Sequence, residues 1–299
     1  MQPLTEKIKP FLKWAGGKGQ LLPEIRKYYP FDDRIRKYAE PFVGGGAVLF
    51  DILQNYDLDE VYISDANKDL IDVYCTIRDN ADDLISLLSQ MQADFVSYNH
   101  ESRNTYYIKN RTRFNCIKFL EDEKSKIEKS ALFIFLNKTC FNGLYRLNKK
   151  GLFNVPIGRY KNPLICDEFN INAISKRLHN MKIVCADYSL SADFVDDSTF
   201  IYFDPPYRPI SKTSSFTSYN GESFDDDKQK ALSNFISFVN SKGAKFLLSN
   251  SDPQNIDSED IFFEQLYGAY NINKVKASRM INCAGNRRGK IKELLISNF

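Results

Sequence analysis

Histidine is scarce in this 299-residue chain, which holds only His100 and His179. Two histidines so far apart give little material for a Ser-His-Asp or Cys-His arrangement or for an imidazole base. The six cysteines, Cys75, Cys116, Cys140, Cys166, Cys185 and Cys283, are scattered, and no C-x-x-C occurs. A thiolate metal site is therefore not expected, and the cysteines read as reduced and mostly buried. No apolar run approaches the roughly 18 residues of a membrane helix, and the start of the chain is polar rather than signal-like. A protein of the cytoplasm, without a membrane partner, is the expectation.

What is present is an ordinary globular composition, 43% hydrophobic and 26% charged. That length supports one large core plus a smaller inserted unit. Net charge is only +3, but residues 103–161 carry fourteen Lys/Arg against four Asp/Glu. This surplus of ten positive charges leaves the remainder net negative by seven. A basic middle in an acidic remainder suits a face for nucleic acid, and solvated Lys-rich helices are the plainer account.

The central stretch is Asp204-Pro205-Pro206-Tyr207, which follows a strand-like run at 198–203 (STFIYF). Loops at the carboxyl ends of strands are where open α/β sheets bind ligands. A carboxylate and a proline-constrained carbonyl can accept from an exocyclic amine, and an aromatic ring can stack on the base that carries it. A surface turn would explain Pro-Pro equally.

Upstream, FLKWAGGKG at 11–19 puts Trp14, flexible glycines and Lys18 before a helix-like segment at 20–29. Such a turn can meet an anion, although the G-x-x-x-x-G-K-[ST] spacing is absent. A strand at 37–42, a turn at 43–46 (VGGG) and a helix at 47–54 follow, and a strand at 60–64 ends at Asp65. An acid about twenty residues after a Gly-rich turn is placed to accept from a ribose. This names a nucleoside-bearing cofactor without choosing which.

Helical patterns run in succession over 69–78, 81–91, 98–119 and 127–137, the last apolar nearly all round. They interrupt the β-α alternation, as an inserted helical subdomain would. Residues 139–161 (TCFNGLYRLNKKGLFNVPIGRYK) read as a basic, aromatic hairpin with turns at Asn142-Gly143 and Lys150-Gly151. Its arginines can address guanine or phosphate, and its aromatics can fill a gap in a base stack. Alternation then resumes, with helices at 171–178, 225–241 and 255–263 and strands at 182–186 and 244–249. A terminal antiparallel pair is expected at 269–275 and 291–297. Arg287, Arg288 and Lys290 lie between the members of that pair and are candidates for phosphate contacts.

FLKWAGGKG, PFVGGG, ISDAN and DPPY in this order resemble the Dam/DpnII-type, α-class DNA adenine-N6 methyltransferases. The resemblance extends through NGLYR, GLFNVPIGRY and the closing GNRR, and so covers nearly the whole chain. It implies an α/β, Rossmann-like S-adenosylmethionine-dependent methyltransferase sheet. The catalytic domain would comprise 1–67 and 168–299. The inserted helical target-recognition domain, with its hairpin, would be 68–167. It further implies S-adenosyl-L-methionine as cofactor with no metal, double-stranded DNA as substrate and GATC as the site. A monomer of bacterial or phage type is expected, with a restriction endonuclease of the same site as a candidate partner.

Carried over by position, Trp14, Lys18, Phe42, Gly44, Gly46, Asp65 and Asp204 form the cofactor set. Asp204, Pro205, Pro206 and Tyr207 form the catalytic set. Lys13 and Arg146 would read guanines, Leu144 would touch a base, and Phe141 would intercalate. Asn142 would meet the orphaned base, while Pro156, Arg159 and Tyr160 would complete the DNA set. Phe141 stands where Dam has tyrosine, and Tyr145 where Dam has a small cysteine, so the hairpin tip should pack differently. The mechanism implied is direct transfer to N6 of a flipped adenine. Rivals are cytosine-N4 transfer, whose motif more often begins with Ser, and the Asn-Pro-Pro-Tyr enzymes acting on RNA or protein glutamine. A non-enzymatic DNA-binding protein is a further rival, and would leave the cofactor motifs idle.

Overall fold

In a computed structural model, residues 7–208, 224–278 and 290–299 are described; at 277, 278, 290 and 291 only the backbone is. Cys283, Arg287 and Arg288 lie outside the described residues. The helices are α1 (Leu22–Ile25), α2 (Ala47–Asn55), α3 (Lys68–Asp79), α4 (Ala81–Ser97), α5 (His100–Ile117) and α6 (Glu123–Thr139), then α7 (Glu168–Leu178), α8 (Asp226–Ser241) and α9 (Phe262–Tyr267). The strands are β1 (Lys37–Glu40), β2 (Glu60–Asp65), β3 (Lys182–Cys185), β4 (Thr199–Phe203), β5 (Lys245–Ser251), β6 (Asn271–Ser278) and β7 (Lys290–Ser297).

The seven strands form one sheet in the order β3-β2-β1-β4-β5-β7-β6. The first five are parallel and the β7 and β6 pairings antiparallel. This is the Rossmann-like α/β architecture. Strand order reverses between β1 and β4, so their carboxyl ends open a crevice at the switch point.

Alternation along the strands separates two cores. Tyr38, Ile63, Phe200, Tyr202 and Leu247 face a cluster that continues through α2–α7. Ala39, Tyr62, Ile201, Phe203 and Leu248 face a second cluster built with α8 and α9. Every residue of β4 is buried, as expected for a strand covered on both faces. The Lys129–Leu136 part of α6 is buried on all sides, which explains why its sequence is apolar all round.

Four expectations change. The segment 20–29 is broken into short turns around α1, whose first turn holds Pro23 where a missing N–H is tolerated. The short helix expected at 255–263 is instead a 3-10 turn at Pro253–Asn255, capped by the Asp252 side chain, followed by α9. The hairpin at 139–161 pairs only through isolated antiparallel bridges, Cys140↔Ile157 and Leu147↔Phe153. Those bridges rest on backbone bonds from Phe141 to Pro156, Gly158 to Thr139, Asn148 to Leu152 and Asn154 to Arg146, and asparagine side chains supplement them. Asn148 Oδ1 accepts from the Lys150 and Leu152 amides, and Asn115 holds both the N–H and the C=O of Phe153. Cysteine burial also differs, since Cys140 and Cys166 are buried but Cys116 and Cys185 are exposed.

Candidate functional site

The crevice is built from three loops. β1 ends at Glu40, and Pro41 begins the turn that carries Gly44 and Gly46 at φ +48° and +73°. Gly44 donates its N–H to Asp65 Oδ2 (3.1 Å), so the carboxylate ending β2 braces the turn after β1. Asn67 donates to Asp65 Oδ1 at 2.9 Å. Burial raises the Asp65 pKa to about 6 despite these two bonds. Each carboxylate oxygen keeps acceptor capacity for a further donor.

The two glycines differ in their crowding. A Cβ at Gly44 would lie 2.9 Å from the Trp14 indole, and Gly45 is equally tight against it. A Cβ at Gly46 would lie 2.5 Å from the Tyr74 hydroxyl. Gly44 thus lets Trp14 lie over the turn, whereas Gly46 lets α2 pack on α3. Phe42 is half-buried, its ring 5.5 Å from that of Tyr188.

The third loop is Asp204 to Tyr207, leaving β4. Lys18 comes 186 positions earlier, yet its Nζ lies 2.6 Å and 2.7 Å from the two oxygens of Asp204. The ammonium also donates to the Gly16 carbonyl (2.9 Å) and sits 4.9 Å from the centre of the Tyr207 ring. Lys18 is 5% exposed and Asp204 20% exposed, so the pair opens to the crevice only through the carboxylate. Desolvation raises the Asp204 pKa, and Lys18 together with the Ser249 hydroxyl (3.1 Å) opposes that rise. Tyr207 donates to Glu293 at 2.7 Å, which fixes its ring. The Gln229 amide donates to the Pro206 carbonyl at 3.3 Å. Arg208 is held by Asp226 and Asp260, both at 2.6 Å.

At the crevice, Trp14 and Asp65 thus meet at the Gly44 turn, and Lys18, Asp204 and Tyr207 meet at the end of β4, with the 14–18 loop joining the two groups. Sequence reasoning missed its supports, Glu40, Ser249, Gln229 and Glu293. Glu40 is fully buried, accepts from the Tyr38 hydroxyl at 2.7 Å, and is pushed well above the usual carboxylate range by burial. Its place directly before the PFVGGG turn was an available signal. Ser249 and Glu293 sit inside ordinary strand patterns and gave none.

The 139–161 segment shows a second group. Phe141 is 52% exposed, and Asn142, beside it, is left-handed at φ 54°. Arg146 is exposed and braced by Asn154 (2.8 Å); Pro156 and Arg159 are also exposed. Leu144 differs, being half-buried against the core. Lys13 Nζ lies 3.7 Å above the Tyr160 ring. Tyr145 turns inward, where its hydroxyl donates to the buried Asp69 and its ring stacks 6.1 Å from Trp14. Some of the positive charge counted over 103–161 is internal, as Lys129 pairs with Asp72 and Lys118 with Asp69. The charge count therefore overstates the face left for an external polyanion. Among the described residues no His/Cys/Asp/Glu group could hold a metal, and no helix is long and apolar enough to cross a membrane.

The chain is 50% identical to "Type II methyltransferase M.MjaIII" of Methanocaldococcus jannaschii over 98% of this chain and 99% of that one. It is 38% identical to "Type II methyltransferase M1.LlaDCHI" of Lactococcus lactis subsp. cremoris, covering 98% and 96%. To the "DNA adenine methylase" of Escherichia coli K12 it is 31% identical, covering 97% and 95%. Residues 14–281 match the family described as D12 class N6 adenine-specific DNA methyltransferase. The chain belongs to that family, and is an adenine-specific DNA methyltransferase.

Proposed function

We propose that the enzyme transfers a methyl group from S-adenosyl-L-methionine to N6 of a flipped adenine in double-stranded DNA, within GATC. The observation that carries the reading is the convergence of Lys18, Asp204 and the Gly44 turn beside Asp65 at the switch point. The residues present fit the cofactor. Asp65 retains acceptor capacity where a ribose would lie, the Trp14 indole covers the glycine turn, and Asp204 offers negative charge to a cationic donor. S-adenosylmethionine supplies an electrophilic methyl on a sulfonium, and S-adenosylhomocysteine is the product.

The chain's own residues supply position. An adenine N6 cannot reach a methyl donor from within the duplex, and extrusion costs a few kcal/mol. Stacking on Tyr207, held by Glu293, returns about 1–3 kcal/mol. The Asp204 carboxylate and the Pro205 carbonyl accept the two N6 protons, turning the nitrogen lone pair toward the methyl. The N–C bond would form as the S–C bond breaks, the electron pair staying on sulfur, and the nitrogen would shed one proton to solvent past Asp204. Lys18, against both oxygens, favours the ionised form of Asp204, which then accepts hydrogen bonds rather than acting as a strong base. Much of the rate then comes from alignment.

DNA recognition falls to the 68–167 segment in this reading, flanked by the catalytic parts 1–67 and 168–299. Arg146 and Lys13 address guanines, Phe141 fills the vacated stack, Asn142 meets the orphaned base, and Pro156, Arg159 and Tyr160 follow the strand. Leu144 touches a base only by its exposed edge. The names of the two Type II relatives favour a restriction–modification setting, with an endonuclease of the same site as partner. The test is labelled S-adenosylmethionine with GATC and scrambled duplexes, followed by identification of the methylated base. N6-methyladenine in the GATC duplex alone is expected; equal or absent label in the two duplexes refutes the reading.

A further inference from the structure

One side chain joins the two functional groups of residues. Asn137 is near the end of α6, 3% exposed, and matches none of the motifs that mark the site. Its Oδ1 accepts the Lys13 N–H at 2.8 Å, and its Nδ2 donates to the Lys13 carbonyl (2.8 Å) and the Gly143 carbonyl (2.9 Å). Both donors of this buried amide are thus spent on two backbone segments 130 positions apart in sequence. One is the 13–18 loop that carries Trp14 and Lys18. The other is the tip that carries Phe141, Asn142 and Arg146.

The surroundings reinforce the joint. Gly143 is left-handed at φ +63°, and a Cβ there would lie 2.5 Å from the Lys13 side chain, so tip and loop touch directly. Beside them the Trp14 ring stacks on Tyr145 (6.1 Å, 27° between planes) and on Phe133 (6.4 Å, 29°). The other edge of Trp14 lies against Gly44 and Gly45. A buried asparagine costs free energy unless it is fully bonded, so core packing alone would favour an apolar residue here.

We infer that Asn137 is a positioning residue coupling occupancy of the cofactor crevice to the conformation of the DNA-reading tip. A cofactor that fixes Trp14 and Lys18 fixes the Lys13 backbone, and through Asn137 it fixes the Gly143 carbonyl. Bound DNA that fixes the tip acts on the cofactor loop by the same bonds. The effect is reciprocal, as linkage between two sites requires. Trp14 on Tyr145 is the second, parallel contact. The inference rests on the proposed reading that 13–18 face the cofactor and 141–146 face DNA.

The experiment measures Kd for S-adenosylhomocysteine, a non-reacting probe, with enzyme alone and with enzyme saturated by a GATC duplex. In the wild type the duplex should tighten the probe about fivefold or more. Asn137→Leu, close in volume, should bring that ratio below about twofold, and Tyr145→Leu should lower it as well. A purely structural role would lower the melting temperature and leave the ratio at the wild-type value; that result, or a wild-type ratio of one, overturns the inference. Should Asn137→Leu fail to fold, Asn137→Asp, which keeps the acceptor and loses the donors, and Tyr145→Leu decide in its place. A wild-type enzyme that binds neither probe nor duplex overturns the underlying reading instead.

Discussion

Lys18 and Asp204 make the sharpest prediction, because neither is comfortable in its place without the other. Lys18→Met leaves the Asp204 carboxylate with the Ser249 hydroxyl as its remaining hydrogen-bond donor. Loss of a cation 2.6 Å away should raise the aspartate pKa further, and leaving this largely buried charge unpaired should cost about 3–5 kcal/mol at pH 8. At roughly 2–4 °C per kcal/mol the melting temperature falls by about 6–20 °C. The sign of the pH effect is fixed. The folded pKa of Asp204 already lies above 3.8, so ionisation works against the fold as pH rises through it. Removing Lys18 moves that pKa higher, so the variant's deficit should be large at pH 8 and shrink once the carboxylate is protonated. Asp204→Asn added to Lys18→Met should recover stability at pH 8 and leave methyl transfer absent. Thermal melts of the wild type and these two variants across pH are the assay. A deficit independent of pH, or a double variant no more stable than Lys18→Met at pH 8, refutes the argument.

Three further outcomes can be checked. Because Asp65 titrates at about 6 and a ribose hydroxyl needs its ionised form, S-adenosylhomocysteine Kd should rise as pH falls below 6. In Asp65→Asn, affinity should be weaker but flat across that titration. Arg146→Ala should cost about 1–3 kcal/mol of discrimination at one guanine, measured as relative methylation of singly substituted sites, with little change in melting temperature. Gly46→Ala places a Cβ 2.5 Å from the Tyr74 hydroxyl at φ +73°, and should destabilise by about 1–3 kcal/mol in urea unfolding. A neutral result there would show that α2 can shift off α3.

The parts of the site that could be read from sequence are those in which one short segment holds the whole chemical reason. Asp204 to Tyr207 presents an acceptor carboxylate, a fixed carbonyl and a ring on consecutive residues at a strand end. The Gly44 turn and Asp65 are separated by one helix, a spacing that the β-α-β unit imposes. The supports were not legible, because their meaning depends on pairing across the sheet. Ser249 looks like any residue of β5 until β4 and β5 lie side by side, with Phe203 paired to Leu248. That register puts its hydroxyl at the base of Asp204. Lys18 was legible as a basic residue near a turn, but its clamp on an aspartate 186 positions away was not.

The 139–161 segment shows the same limit from the other side. Its residue types announced a basic, aromatic projection, and Phe141, Asn142, Arg146 and Arg159 are indeed at the surface. The same composition concealed Tyr145, whose ring is equally suited to a base stack but turns inward onto Trp14. Counting charges over the longer stretch 103–161 concealed Lys118 and Lys129, whose carboxylate partners come from α3. Asn137 is the extreme case. In sequence it is one polar residue in an apolar helix, a position where an isolated amide should cost stability. Only the fold shows that it is satisfied by two distant backbones. A buried polar residue that breaks an otherwise consistent pattern is thus where a join between functional parts is to be sought. In this chain it ties the loop carrying Lys18 to the loop carrying Arg146.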